Sequence, residues 1–320
     1  MNPVFKSAFK PRPFYLSAAP LVLWQSLPRP LDWTDIFGRS GPVEVEIGFG
    51  NGERLVRRAA ERPDLNLVGL ELAWDSVKRA MRRINQAGLT NVRLLLTDAH
   101  MALDRLFAPR SISLVTSLFP APWPKERHVQ RRLFNPDFLK LLNSRLTDDA
   151  RGLIVTDFEP FLEWTLGSFP DTGLEADWKP IPPQCETKYE RKWQAGGQET
   201  FFEISFVKTR HLDIPATEDA ALQTYRLNDF NPEKFAPQNQ QGELTIKFRE
   251  FLFDPKKEKG LALVLTAEKN MVQDVWIKIA REEGVWRIGL AAGGNTFPTQ
   301  AVKQAVELTF QAAARTVEPD

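Results

Sequence analysis

Glu46, Glu71 and Asp98 each stand at the close of an apolar run, in VEVEIG, LNLVGLEL and VRLLLTD, and Glu71 follows Glu46 by 25 residues, about one strand-helix-strand unit. Carboxylates at three successive strand ends can accept from the hydroxyls and amino group of a nucleoside. The first of them begins EIGFGNG, residues 46–52. Its glycines let backbone approach a ligand closely, and the helix that follows offers unpaired N–H groups at its start. The dinucleotide fingerprint is G-x-G-x-x-G, whereas this stretch reads G-x-G-x-G with an acid two residues ahead, a spacing that suits S-adenosylmethionine better than NAD. Glu46, Gly48, Gly50, Glu71 and Asp98 are therefore candidate cofactor residues, Glu71 for the ribose hydroxyls and Asp98 for the adenine amino group.

A second constellation is FPAPWPKERHVQRR, 119–132. Three prolines fix its backbone, Trp123 offers a flat face on which a base can stack, and Lys125, Arg127, Arg131 and Arg132 add charge suited to phosphates. Cys185 is a lone cysteine, and His100, His128 and His211 lie far apart, so no metal site is expected.

The elements that must hold these residues alternate. The runs VEVEIGFG, LNLVGLEL, VRLLLTD, ISLVTSLFP and RGLIVTDF read as strands. ERLVRRAAERP, DSVKRAMRRINQAG, the short MALDRLF and FNPDFLKLLNSRL read as the helices between them. This predicts an α/β, Rossmann-like fold: a mostly parallel doubly wound sheet with ligands beyond the carboxyl ends of its strands. ETFFEISFVKT, 199–209, alternates apolar and polar residues and is expected as an antiparallel edge strand. Ahead of this domain, placed at 41–209, six prolines make 1–40 an extended arm on the surface or a disordered one. A polar, proline-bearing stretch at 210–242 reads as a linker. Four strands and a helix from about Thr299 to Ala314 make 243–320 a small α+β appendage.

Composition narrows the class. The 320 residues are 42% hydrophobic and 26% charged, enough for at least one large core. A net charge of +1 excludes the heavily basic character of an architectural nucleic-acid protein, and no DNA partner is expected. One cysteine leaves no intrachain disulfide, which points to the cytoplasm. YLSAAPLVLW is cut by Pro20 and has no A-x-A-like cleavage site, and no apolar run reaches membrane-spanning length, so no membrane association is expected.

With EIGFGNG, VGLEL, LLLTDAH, LFPAPWPKERHVQRR, VTDFEPF and TKYE in this order, residues 42 to about 208 resemble the bacterial tRNA (guanine-N7)-methyltransferases. The resemblance implies a class I methyltransferase that moves the methyl of S-adenosylmethionine to N7 of a guanine in the variable loop of tRNA. Glu46, Glu71 and Asp98 match the family's cofactor positions. Lys125, Asp157, Thr187, Lys188, Tyr189 and Glu190 match its substrate positions. The chain departs from the pattern at Ala121, where the family carries an aspartate treated as catalytic, so the catalytic group is unassigned. Asp157 or Glu190 is the expected replacement toward the guanine N1 and N2 donors. Three readings follow: an active tRNA methyltransferase, a catalytically impaired relative that binds S-adenosylmethionine and RNA, and a methyltransferase of another RNA.

Overall fold

Two units divide the chain, Met1–Ala216 and Thr217–Asp320, in a computed structural model that describes residues 17–268, 271–293 and 296–317. The first unit runs α1 (Trp33–Phe37), β1 (Val43–Ile47), α2 (Glu53–Glu61), β2 (Asn66–Glu71), α3 (Trp74–Gln86), β3 (Val92–Leu96), α4 (Ala99–Arg105) and β4 (Ile112–Leu118). It continues with α5 (Pro136–Arg145), β5 (Leu146–Thr156), α6 (Glu159–Leu166), β6 (Leu174–Ile181), α7 (Lys188–Ala195) and β7 (Phe201–Lys208). Its seven-stranded sheet has the order β3-β2-β1-β4-β5-β7-β6. The first five strands are parallel, as their alternation with helices requires.

β7 is antiparallel as expected, yet it is not the edge. It lies between β5 and β6, and β6 closes the sheet. β6 escapes the sequence pattern because it is mostly exposed and carries Pro180, a residue tolerated in a sheet only at such an edge.

All five residues of β1 are buried, including Glu44 and Glu46. The two glutamates face α2, whose Arg58 and Arg54, one turn apart, reach them at 2.8 and 2.9 Å. Gly52 opens α2 in a left-handed conformation, φ +76°, and a Cβ there would lie 2.7 Å from Cβ of Ala80 on α3. The turn between β1 and α2 is thus set by helix-helix contact as well as by its own backbone.

The described part of the proline-rich N-terminal segment is not a surface arm. Trp24, Leu31 and Trp33 are buried, Val22 donates its N–H to Leu94 on β3, and Trp33 stacks on Phe107 at 4.9 Å. The prolines forbid a long helix there, but the tryptophans between them supply enough apolar area to anchor the chain. Residues 1–16 of that expected arm lie outside the described residues.

The second unit holds β8 (Tyr225–Leu227), β9 (Leu244–Asp254), β10 (Lys259–Glu268), β11 (Met271–Glu282), β12 (Val285–Leu290) and α8 (Gln300–Ala314). Its sheet order is β8-β12-β11-β10-β9, and Val302, Ala305 and Val306 of α8 join its core. Residues 217–242, expected as linker, belong to this unit: β8 pairs with β12, Tyr225 stacks on Phe310 at 4.5 Å, and Phe230 is buried in the core. A few aromatic anchors in a polar stretch suffice to order it. No helix among the described residues is long and apolar enough to cross a membrane.

Gly152 on β5 faces Phe206 across the strand pair, and a Cβ at Gly152 would sit 1.8 Å from the ring. Gly152→Ala should destabilise the first unit by about 1–3 kcal/mol through overpacking, read as a lower urea midpoint; an unchanged midpoint would show that the ring can move aside.

Candidate active site

The carboxyl ends of β1 and β4, the starts of α2 and α7 and the first half of α3 surround a cleft with about 560 Å3 of empty space open to solvent. Glu46, Gly48, Gly50, Arg54, Phe119 and Tyr189 are among the residues that line it. Glu46 is buried and paired to Arg54, whose other nitrogen donates to Thr116 Oγ1 at 3.1 Å. Burial pushes the Glu46 carboxyl up from its ordinary range, and the Arg54 charge opposes that shift. Gly48 has φ +74° with open space where a Cβ would stand, so a ligand can rest directly on the backbone.

Glu71 lies behind the glycine turn. One oxygen accepts from Gly50 N–H at 3.0 Å and the other from the N–H groups of Leu72 and Ala73. Asp98 caps α4, accepting from His100 and Met101 N–H through Oδ1. Neither of these two lines the cleft directly. Arg54, Ser76 and Arg79 do, and the glycine pattern did not single them out; Arg54 could have been found as the cation in the first turn of α2, where a buried Glu46 needs one.

The proline turn follows β4 and is strained in the manner of functional loops: Phe119 and Trp123 hold φ of +53° and +44° without being glycine. Phe119 N–H donates to Val155 and its ring meets Phe201 edge-on at 5.4 Å. Ala121 is exposed, and its methyl offers no polar group. The Arg131 guanidinium lies over the Trp123 ring at 5.1 Å, and His128 meets that ring edge-on. Lys125 and Arg127 are exposed. Arg132 is not available to phosphates: it is 5% exposed, donates to the carbonyls of Pro122 and Pro160, and lies over Trp164. Its role is to clamp the turn onto α6.

TKYE, 187–190, is a helix start. Thr187 Oγ1 accepts from Glu190 N–H at 3.1 Å, and the buried Glu190 carboxylate reaches back to the N–H groups of Gln184, Cys185 and Glu186. This is a variant of the capping box, recognisable in the T-x-x-E spacing. Glu190, 2% exposed with both oxygens engaged, therefore holds the preceding loop and is not presented to a ligand. The Cys185 thiol is pushed up to about 12, chiefly by burial. Arg57 pairs with Glu186 and the Cys185 carbonyl, and Arg191 with Glu53, so α7 is strapped to α2. Tyr189 is 57% exposed and lies beside Gly50. Lys188 opens α7, and its side chain lies outside the described residues. Asp157, at the end of β5, is half-buried; burial raises its pKa, and among the described residues no side chain pairs with its carboxylate.

A doubly wound sheet with a glycine turn after β1 and a buried acid at its mouth defines a Rossmann-like, S-adenosylmethionine-dependent methyltransferase. The open backbone at Gly48 and the cleft beside it, lined by Glu46, Gly48 and Gly50 among others, leave room for that cofactor. A family model described as "Putative methyltransferase" matches residues 40–203. Similar chains named tRNA (guanine-N(7)-)-methyltransferase include one from Chlorobium phaeobacteroides, 45% identical over 174 residues, 54% of this chain and 85% of that one. Others come from Thermus thermophilus, 34% identical over 87% of this chain and 90% of that one, and Thermotoga maritima, 31% identical over 90% and 96%. The chain belongs to the tRNA (guanine-N7)-methyltransferase family. The two longer matches extend into the second unit, so the likeness is not confined to the part that carries the motifs.

Because the Arg132 guanidinium satisfies two carbonyls, Arg132→Ala should cost about 1–3 kcal/mol in urea unfolding, whereas Arg127→Ala, on the exposed side of the same turn, should change stability by less than about 0.5 kcal/mol. Equal effects would mean that the clamp carries no load.

Proposed function

We propose that the protein transfers a methyl group from S-adenosylmethionine to N7 of a guanine in the variable loop of tRNA. One observation carries this reading: the glycine turn at 48–50, Phe119 of the proline turn and Thr187 and Tyr189 of the TKYE segment line a single cleft, although they come from distant parts of the chain. Cofactor and base would meet there.

S-adenosylmethionine, when bound, supplies an electrophilic methyl on a sulfonium. Guanine N7 carries an exposed lone pair, so the protein need not remove a proton before transfer; it must orient the base and offset the positive charge that develops on the purine. Ala121 cannot do either, and Glu190 is consumed by backbone N–H groups. Asp157 is the carboxylate left to accept from guanine N1–H and the N2 amino group. Lys125 and Arg127 are exposed for phosphates of the same RNA, and Arg131, packed on Trp123, presents an aromatic and cationic edge beside them.

Ala121 also favours a second reading, a scaffold that binds cofactor and RNA with little turnover. Incubation with tritiated S-adenosylmethionine and unmodified tRNA transcripts separates the two. Mapped 7-methylguanine in the variable loop is expected from the unaltered protein, with kcat raised on the order of 10²-fold in Ala121→Asp. Product from Ala121→Asp alone would identify a silenced enzyme, and product from neither, or equal methylation of unrelated RNA, would defeat the tRNA assignment.

Asp157 must be ionised to accept from both guanine donors, and its folded-state pKa lies above the ordinary carboxylate value. The rate should therefore be low where Asp157 is protonated and rise with pH through an ionisation above the usual carboxylate range. Asp157→Asn should remove that rise and lower kcat/KM on the order of 10²-fold, measured from initial rates across pH; a variant with the unaltered profile would exclude the role.

A further inference from the structure

The outer face of α7 carries two large aromatic rings that no core requires. Tyr189 is 57% exposed and Trp193 is 39% exposed; four residues apart on a helix, they lie on the same face one above the other. Lys192, three residues after Tyr189, shares that face, and its ammonium lies 5.4 Å from the Trp193 ring centroid. The charged residues between them are turned elsewhere: Glu190 is buried on its loop and Arg191 is paired to Glu53.

Both ends of this strip are fixed to the site. At its start, Tyr189 stands beside Gly50 of the cofactor turn. At its end, the Trp193 carbonyl accepts the N–H groups of Gly196 and Gln198. The Gln198 side chain in turn donates to the carbonyl of Asp157 at 3.1 Å. The strip thus runs from Tyr189 in the lining of the cleft toward the segment that carries Asp157.

We infer that Trp193, with Tyr189 and Lys192, forms a stacking strip for unpaired nucleotides next to the reacting guanine. An exposed indole with a lysine at its rim offers a flat partner for a base and a charge for its phosphate. Single-stranded RNA is the occupant that this pairing fits, because the strip begins at Tyr189 in the lining of the cleft and carries a cation that a phosphate complements. The strip rests on the RNA methyl-transfer reading, which supplies the substrate.

The test uses the full-length protein, a fluorescently labelled tRNA transcript and S-adenosylmethionine. Trp193→Ala should weaken transcript binding and raise its KM on the order of 10-fold, while kcat and the cofactor Kd, measured by calorimetry, hold. Trp193→Phe, which keeps a stacking face, should stay within about 3-fold of the unaltered protein. Unaltered protein that methylates the transcript while Trp193→Ala binds it equally well overturns the strip and leaves the function intact. Trp193→Phe as weak as Trp193→Ala overturns stacking as the cause. Unaltered protein that neither binds nor methylates the transcript overturns both.

Discussion

Buried charge in the central strand is the constraint from which the site follows. β1 has a neighbour on each side and buries two glutamates, and a buried carboxylate without a partner is strongly destabilising. Arg54 and Arg58 stand one turn apart on α2, and meeting Glu46 and Glu44 dictates where that helix lies. With α2 placed, the glycine turn ahead of it has little freedom. Gly52 passes Ala80 at contact distance, and the Phe49 ring fills the space over Gly69, where a Cβ would meet it at 2.5 Å. The cleft is what these contacts leave open.

The acidic residues around that cleft divide their work by what already occupies their oxygens. Glu190 and Asp98 are bound to backbone N–H groups and shape loops and helix starts. Glu71 does the same for the glycine turn and is half-buried, whereas Glu190 is buried. Glu46 is neutralised by Arg54. Asp157 alone among them is half-buried with no hydrogen bond from another residue to its carboxylate among the described residues, which is how a carboxylate looks when its partner arrives with the substrate. The loss of a carboxylate at Ala121 therefore shifts the demand to a residue with unused capacity.

Most of the fold was legible because strands buried on both faces and helices with a polar side write themselves into apolar spacing. β1 to β5 and α8 lie where that spacing puts them. β6 was not legible, since an edge strand facing water has no apolar alternation to display, and α7 was not, since Glu190 is its inward-turned residue. The lining of the cleft could be found where chemistry and backbone coincide, as at Gly48 and Gly50. Arg132 could not be told from Arg131 by sequence: both are arginines after a proline turn, and only the packing of Trp164 and the two proline carbonyls makes one a clamp. T-x-x-E at 187–190 could have been read as a helix start, and its match to a substrate motif drew attention from that simpler role.

The loop that leads into α7 contains the only cysteine of the chain. Cys185 gives its N–H to Glu190 and its carbonyl to Arg57. With the thiol pushed up to about 12, it stays protonated and a poor nucleophile at neutral pH. Alkylating reagents and peroxide should find it unreactive while the loop is seated and ordinary once the loop lifts. The labelling rate of this thiol is thus tied to how firmly Glu190 and Arg57 hold the segment that borders the cleft.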